Sequence, residues 1–207
     1  MLLQTVRAPL LQPIPIADLR PTQMTIGRRE VERRATELDK MARDERRRYL
    51  ARHAIPVVQG PKERLYAIDR HHLLAALLLS GARAVPTMPV FDFRDIDNGA
   101  FFEVMDSLGL VHPFDDDGHR RDYDDLPPRI ADMTDDPFRS LAGALRRKGG
   151  YSKDRTPFSE FLWADFLRRR IARAKVETRF EAALAPAVEL AGRSEARGLP
   201  GWHASGA

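Results

Sequence analysis

No cysteine occurs among the 207 residues, which removes disulfides, thiolate metal sites and any cysteine nucleophile. No apolar run approaches the roughly 20 residues that a membrane helix needs. The longest, from Leu73 to Leu79, reads as a buried helix. The start, Met1-Leu2-Leu3-Gln4, lacks the charged residues and long apolar stretch of a signal peptide. These absences predict a soluble cytoplasmic protein with no membrane partner. What is present is an ordinary globular balance, 43% hydrophobic and 31% charged, in a chain long enough for one or two small domains.

The net charge is +4 and the pI about 9.7, but the distribution says more than the total. Residues 139–179 carry 12 Lys/Arg against 4 Asp/Glu, whereas residues 115–125 carry six Asp against two Arg. A basic surface of this kind serves nucleic acid or another polyanion; a solvated helix face is the alternative.

Prolines at 13, 15 and 21 favour extended backbone at the start, where Ile14, Ile16 and Leu19 supply a short edge strand. Residues 27–53 read as one long helix, with Val31, Ala35, Leu38, Met41 and Ala42 at helical spacing. Ten Arg/Lys and six acids mix between Arg28 and Arg52, a pattern that predicts an exposed, ion-paired face. Residues 55–59 and 65–68 read as a hairpin around Gly60-Pro61. A helix follows from about Arg70 to Ser80, closed by Gly81. Residues 85–93 read as a strand that Pro86 and Pro89 assign to a sheet edge. After a helix over 98–108 comes a long polar loop, and then helices over 137–148, 157–174 and 176–191. The tail from Gly192 is expected to fray.

The sharpest local feature is the strand that leads into Asp69-Arg70-His71-His72 and an apolar helix. A helix N-terminus offers unpaired N–H groups and a partial positive charge to an anion. Arg70 forks onto phosphate, and a neutral His donates a hydrogen bond or moves a proton near neutral pH. The bland reading is an Asp69 N-cap with two incidental histidines.

The segment Ile68-Asp69-Arg70-His71-His72-Leu73-Leu74-Ala75-Ala76 resembles the signature of the ParB/sulfiredoxin superfamily, and within it the ParB-like nuclease family. Leu19-Arg20-Pro21-Thr22-Gln23, Ile55-Pro56-Val57-Val58, Asp136-Pro137-Phe138-Arg139-Ser140-Leu141-Ala142, Gly149-Gly150-Tyr151 and residues 157–166 add to the resemblance in order. It implies an α+β fold: a ParB/sulfiredoxin-like domain with a small mixed sheet over residues 1–110, a polar Asp-rich linker over 111–135, a helical region over 136–191 and a flexible tail over 192–207. It implies a phosphate-containing ligand, nucleotide or nucleic acid, at Asp69, Arg70, His71 and His72. Asp69 stands where many relatives have Gly, and His72 where many have Arg. Sulfiredoxin chemistry is excluded because its cysteine is missing. Glu30, in the first turn of the long helix, is the candidate base beside His71 and His72; complementing the helix dipole is its simpler role.

Two further constellations stand out. His112, Asp115, Asp116, Asp117 and His119 could hold Mg²⁺ or Mn²⁺, and an ion would offset the Asp69 charge; capping and solvation are the commoner use of such acids. Phe158, Phe161, Leu162, Trp163 and Phe166 read as core, while Arg168, Arg169 and Arg170 are candidate nucleic-acid contacts. The function that follows is a nuclease or a nucleotide-dependent phosphotransferase. The alternatives are a non-catalytic nucleotide- or DNA-binding switch, and a scaffold acting through its C-terminal helices.

Overall fold

The computed structural model describes residues 13–203; the readings made for Met1–Gln4 and for residues 204–207 lie outside them. In chain order the elements are β1 (Pro13–Pro15), β2 (Leu19–Pro21), β3 (Thr25–Ile26), α1 (Arg28–Lys40) and α2 (Arg43–Arg52). Next come β4 (Ile55–Gln59), β5 (Leu65–Ala67), α3 (His71–Leu79), β6 (Ala84–Asp92) and α4 (Asn98–Ser107). The chain closes with β7 (Thr134–Asp135), α5 (Pro137–Arg147), α6 (Ser159–Arg168), α7 (Arg173–Thr178) and α8 (Phe180–Ala191). Two compact units divide these residues. The first takes the chain to Met24, Val31–Phe114 and Arg120–Thr134; the second takes Thr25–Glu30, Asp115–His119 and everything from Asp135.

The first unit is built on a five-stranded mixed sheet in the order β1-β6-β4-β5-β2. The hairpin of β4 and β5 forms as its turn residues predict, with Val58 opposite Tyr66. β2 joins β5 in parallel, and β4 lies parallel to β6. The architecture is therefore α+β. Val57 and Val58 of β4, Tyr66 and Ala67 of β5, and Leu73, Leu74, Ala76 and Leu77 of α3 are buried. Tyr66, Phe93, Phe101 and Met105 form a second cluster. Gly60 sits where an added Cβ would lie 2.8 Å from Phe101 and Tyr66, so close ring packing requires glycine there.

Three local expectations are corrected. The long helix over 27–53 is two helices, broken at Met41–Ala42. Its buried stripe of Val31, Ala35 and Leu38 ends there, and no residue of α2 is buried. The proline-bearing β6 lies inside the sheet, not at its edge. Its outer neighbour is the three-residue β1, itself bounded by Pro13 and Pro15. On the inner side the register shifts just after Pro89, so Val57 pairs with Pro89 but Val58 with Phe91. A bulge thus absorbs the missing N–H. The helix over 157–174 ends at Arg168, and α7 begins five residues later.

The second unit is helical. Phe138, Leu141 and Leu145 of α5 pack with Trp163 and Leu167 of α6, Val176 of α7 and Ala183 of α8. Its tail does not fray before residue 203. The indole N–H of Trp163 donates to the Pro200 carbonyl at 2.9 Å, that of Trp202 donates to Ala191 at 2.9 Å, and Ser152 N–H donates to Gly201 at 2.8 Å. Trp163 is fully buried and stacks on Tyr151 with ring centroids 4.3 Å apart. Trp163→Ala is expected to destabilise the protein by about 3–5 kcal/mol through the cavity and the orphaned tail carbonyl. Chemical denaturation checks this, and a loss under about 1 kcal/mol would show that the tail is not anchored there.

Candidate functional site

The turn before α3 is made by backbone conformation, not by a capping side chain. Arg70 occupies the N-cap position with φ 63° and ψ 27°, in the left-handed region, and no side chain caps the helix. Asp69 is exposed, and its Oδ1 accepts the Arg70 N–H at 2.6 Å. Its carboxylate therefore closes the turn one residue before the cap, so it is not the N-cap that the bland reading supposed. A left-handed arginine costs about 1–2 kcal/mol and is tolerated where the surroundings hold it. Here the Arg70 Nη1–H donates to the Ala54 carbonyl at 2.6 Å. That single bond fixes the guanidinium, and its other N–H donors form no hydrogen bond among the described residues.

His71 and His72 diverge. His71 is 3% exposed, and its Nε2 accepts the Thr22 backbone N–H at 3.2 Å. A nitrogen that accepts is unprotonated, so the bond requires the neutral ring. Thr22, also fully buried, donates its hydroxyl to the Ala67 carbonyl at 2.9 Å. Thr22 thereby ties the end of β5 and the start of α3 to the chain leaving β2. On the other side, the His112 N–H donates to the Thr22 carbonyl at 2.7 Å, and Gln23 bridges His112 in parallel. His112 stacks on Phe114 at 4.5 Å. His72 is half-buried beside the turn. The structure thus brings Arg70, His71, His72, Thr22 and His112 into one constellation of the first unit. The sequence signal for Thr22 is the Pro21-Thr22-Gln23 motif, whose local pattern does not show that Thr22 meets His71.

Glu30 belongs to the second unit. It is buried and ion-paired with Arg147. The Asp136–Ala142 motif has a structural use. Asp136 caps α5, its carboxylate accepting the Phe138 N–H at 2.9 Å and pairing with Arg168 at 2.6 Å. Arg139 is 5% exposed, lies 3.7 Å above the Phe161 ring and faces Glu160 at 3.5 Å. Burial brings its guanidinium down to about 10.

The other candidates are committed elsewhere. Arg168 bonds Asp136, Asp165 and the Asp116 carbonyl, and Arg170 lies 3.9 Å over Phe166; Arg169 alone of the three is both exposed and without such a bond among the described residues. In the acidic loop, Asp115 Oδ1 accepts the N–H groups of Asp117 and His119, at 3.1 and 2.8 Å, while Arg173 holds the carboxylates of Asp116 and Asp117. Among the described residues no three or more His, Asp or Glu side chains converge as metal ligands. The loop is an arginine-stapled turn, so its acids do not fit the divalent ion that its composition suggested.

Comparison with known proteins identifies relatives over most of the chain. Residues 12–169 match the model of the family described as "Putative ParB-like nuclease". The crystal structure of protein Atu1540 from Agrobacterium tumefaciens is 50% identical in sequence and superposes with a TM-score of 0.89, covering 95% of this chain and 99% of that one. Among curated proteins, none matches. Since the family match spans the Pro21-Thr22-Gln23 clamp, the Asp69–His72 turn and the Asp136–Ala142 motif together, the chain belongs to the ParB-like nuclease family.

Proposed function

We propose that the first unit binds a phosphate group of a nucleotide or nucleic acid at the N-terminus of α3, and that the protein is a phosphate-ester enzyme, a nuclease or a nucleotide-dependent phosphotransferase. One observation carries this reading: Arg70 is held in a costly left-handed conformation at an N-cap with no capping side chain, its guanidinium fixed by one carbonyl and its remaining donors available. Fixed donors at a helix N-terminus stabilise charge on phosphoryl oxygens without reorganising during reaction.

Each residue then has a distinct role. Arg70 and the first-turn N–H groups of α3 hold the phosphate. His72 donates a hydrogen bond or a proton to it. His71 acts from beneath, pinning Thr22 and so the shape of the turn. Asp69 keeps the turn closed through the Arg70 N–H. Glu30 keeps the role of base that the family resemblance implies.

The test is a thermal-shift and turnover panel with ATP, CTP, GTP and single- and double-stranded DNA, each with and without Mg²⁺ or Mn²⁺. Stabilisation by at least one phosphate ligand is expected in the wild type and lost in Arg70→Ala. Consumption of the ligand, or DNA cleavage, marks the enzyme. Stabilisation without turnover would replace it with a ligand-gated module. No response to any ligand would overturn the phosphate site.

A further inference from the structure

α2 is an unusual helix for a folded domain. Its ten residues include five arginines and two acids, and none of the ten is buried. The mixed charges between Arg28 and Arg52 predict an ion-paired face, and on α1 the pair of Arg33 with Glu37 conforms. On α2 it does not form. Arg46 reaches Asp39 at 3.8 Å, but Arg43, Arg47, Arg48 and Arg52 are exposed and make no ion pair or side-chain hydrogen bond among the described residues. Asp44 stands four residues before Arg48 without pairing to it. Arg43 with Arg47, and Arg48 with Arg52, are like charges at i,i+4, an arrangement that weakens a helix by a few tenths of a kcal/mol per pair. The two acids sit in the first turn, where the helix dipole favours them, and leave the rest of the outer face cationic.

The end of this helix joins the candidate site. His53 closes α2, and the next carbonyl, of Ala54, is the one that accepts the Arg70 guanidinium. Tyr49 and His53 stack at 4.1 Å at that same end. From Arg43 to Arg52 the axis advances about 14 Å. Along the duplex axis one strand presents a phosphate about every 3.4 Å, so a helix lying along that axis spans roughly four.

We propose that α2 is a contact helix for the sugar–phosphate backbone of nucleic acid, and that it leads the strand to the Arg70 turn. The proposal rests on the reading of that turn only for what happens to the phosphate, not for the contact. Nucleic acid fits better than a membrane surface, because α2 offers no apolar face to insert; its one large aliphatic residue, Leu50, is half-buried.

The experiment titrates a labelled mixed-sequence duplex of about 20 base pairs, and the matching single strand, with the full chain over a salt series. The variant R43A/R47A/R48A/R52A is expected to bind at least about tenfold more weakly near 0.1 M salt, with a log–log salt slope shallower by roughly 2–4. The corresponding four Arg→Lys changes retain most of the affinity, since charge and not fork geometry carries a backbone contact. The double variant R47A/R48A, expected to show about half the change in slope, covers the case in which four substitutions disturb folding. Unchanged affinity and slope in both alanine variants would overturn the proposal. So would wild-type binding to vesicles of phosphatidylserine and phosphatidylcholine with none to either nucleic acid. Thermal shift by ATP reads the turn separately. If ATP has no effect on the wild type while the α2 variants lose DNA, the contact stands and the phosphate turn fails. If Arg70→Ala loses the ATP response while the α2 variants bind DNA as the wild type does, the turn stands and the contact fails.

Discussion

Replacing His71 by alanine is expected to destabilise the protein by about 1–3 kcal/mol, the cost of burying the Thr22 N–H without its acceptor. The loss has a second consequence. Thr22 links β5 to the chain leaving β2, and its carbonyl takes the His112 N–H, so releasing it loosens both flanks of the turn before α3. Ligand stabilisation should therefore fall in His71→Ala although His71 is buried. His72→Ala supplies the contrast. Its half-buried ring sits at the helix start, and its removal is expected to cost well under about 1 kcal/mol while lowering ligand affinity or turnover at least tenfold. Denaturant unfolding with and without ligand separates the two. A His71→Ala protein as stable as the wild type would show that the Thr22 bond is dispensable. A His72→Ala protein with unchanged ligand response would remove His72 from the site.

The stability of the second unit is expected to rise as pH falls from about 7.5 to about 5, and Asp136 is the reason. Burial pushes its carboxyl from the ordinary 3.8 up to about 6, against the opposing pull of Arg168 and of the Phe138 N–H. The folded state therefore holds the proton more tightly than the unfolded state does. The stabilisation from this group is complete below about 4 and is lost as pH climbs through about 6. A displacement from 3.8 to about 6 corresponds to about 3 kcal/mol in full, of which roughly half develops between pH 7.5 and 5. Asp136→Asn keeps an N-cap oxygen for Phe138 but cannot titrate. Its stability should be nearly flat over the same range, and melting temperatures at the two pH values decide. A wild type that loses stability from pH 7.5 to 5 by as much as the Asn variant would reject Asp136 as the titrating group.

Local patterns made much of the fold legible. Val31, Ala35 and Leu38 mark one buried helical stripe, and Gly60-Pro61 between two short apolar runs marks the β4–β5 hairpin. Both depend on neighbours only a few residues away. Pro86 and Pro89 misled for the same reason. A proline forbids one hydrogen bond on one side, and whether a strand can spare it depends on its partners. Here the partners are a three-residue β1 and a β4 whose register shifts just after Pro89, both remote in sequence.

For the site, the sequence by itself located the turn, because Asp69-Arg70-His71-His72 is contiguous between a strand and an apolar helix. It also supplied the motifs by which the family is known. Only the tertiary structure decided how the individual side chains are used. His71 faces inward because Thr22, 49 residues earlier, offers a buried N–H that must be satisfied. Arg168 is spent on Asp136, 32 residues before it, while four of the five arginines of α2, all but Arg46, make no ion pair among the described residues although acids lie beside them in sequence. The physical reason is that secondary structure follows local periodicity, whereas the partner of a charge or a buried donor is set by distance and direction in space.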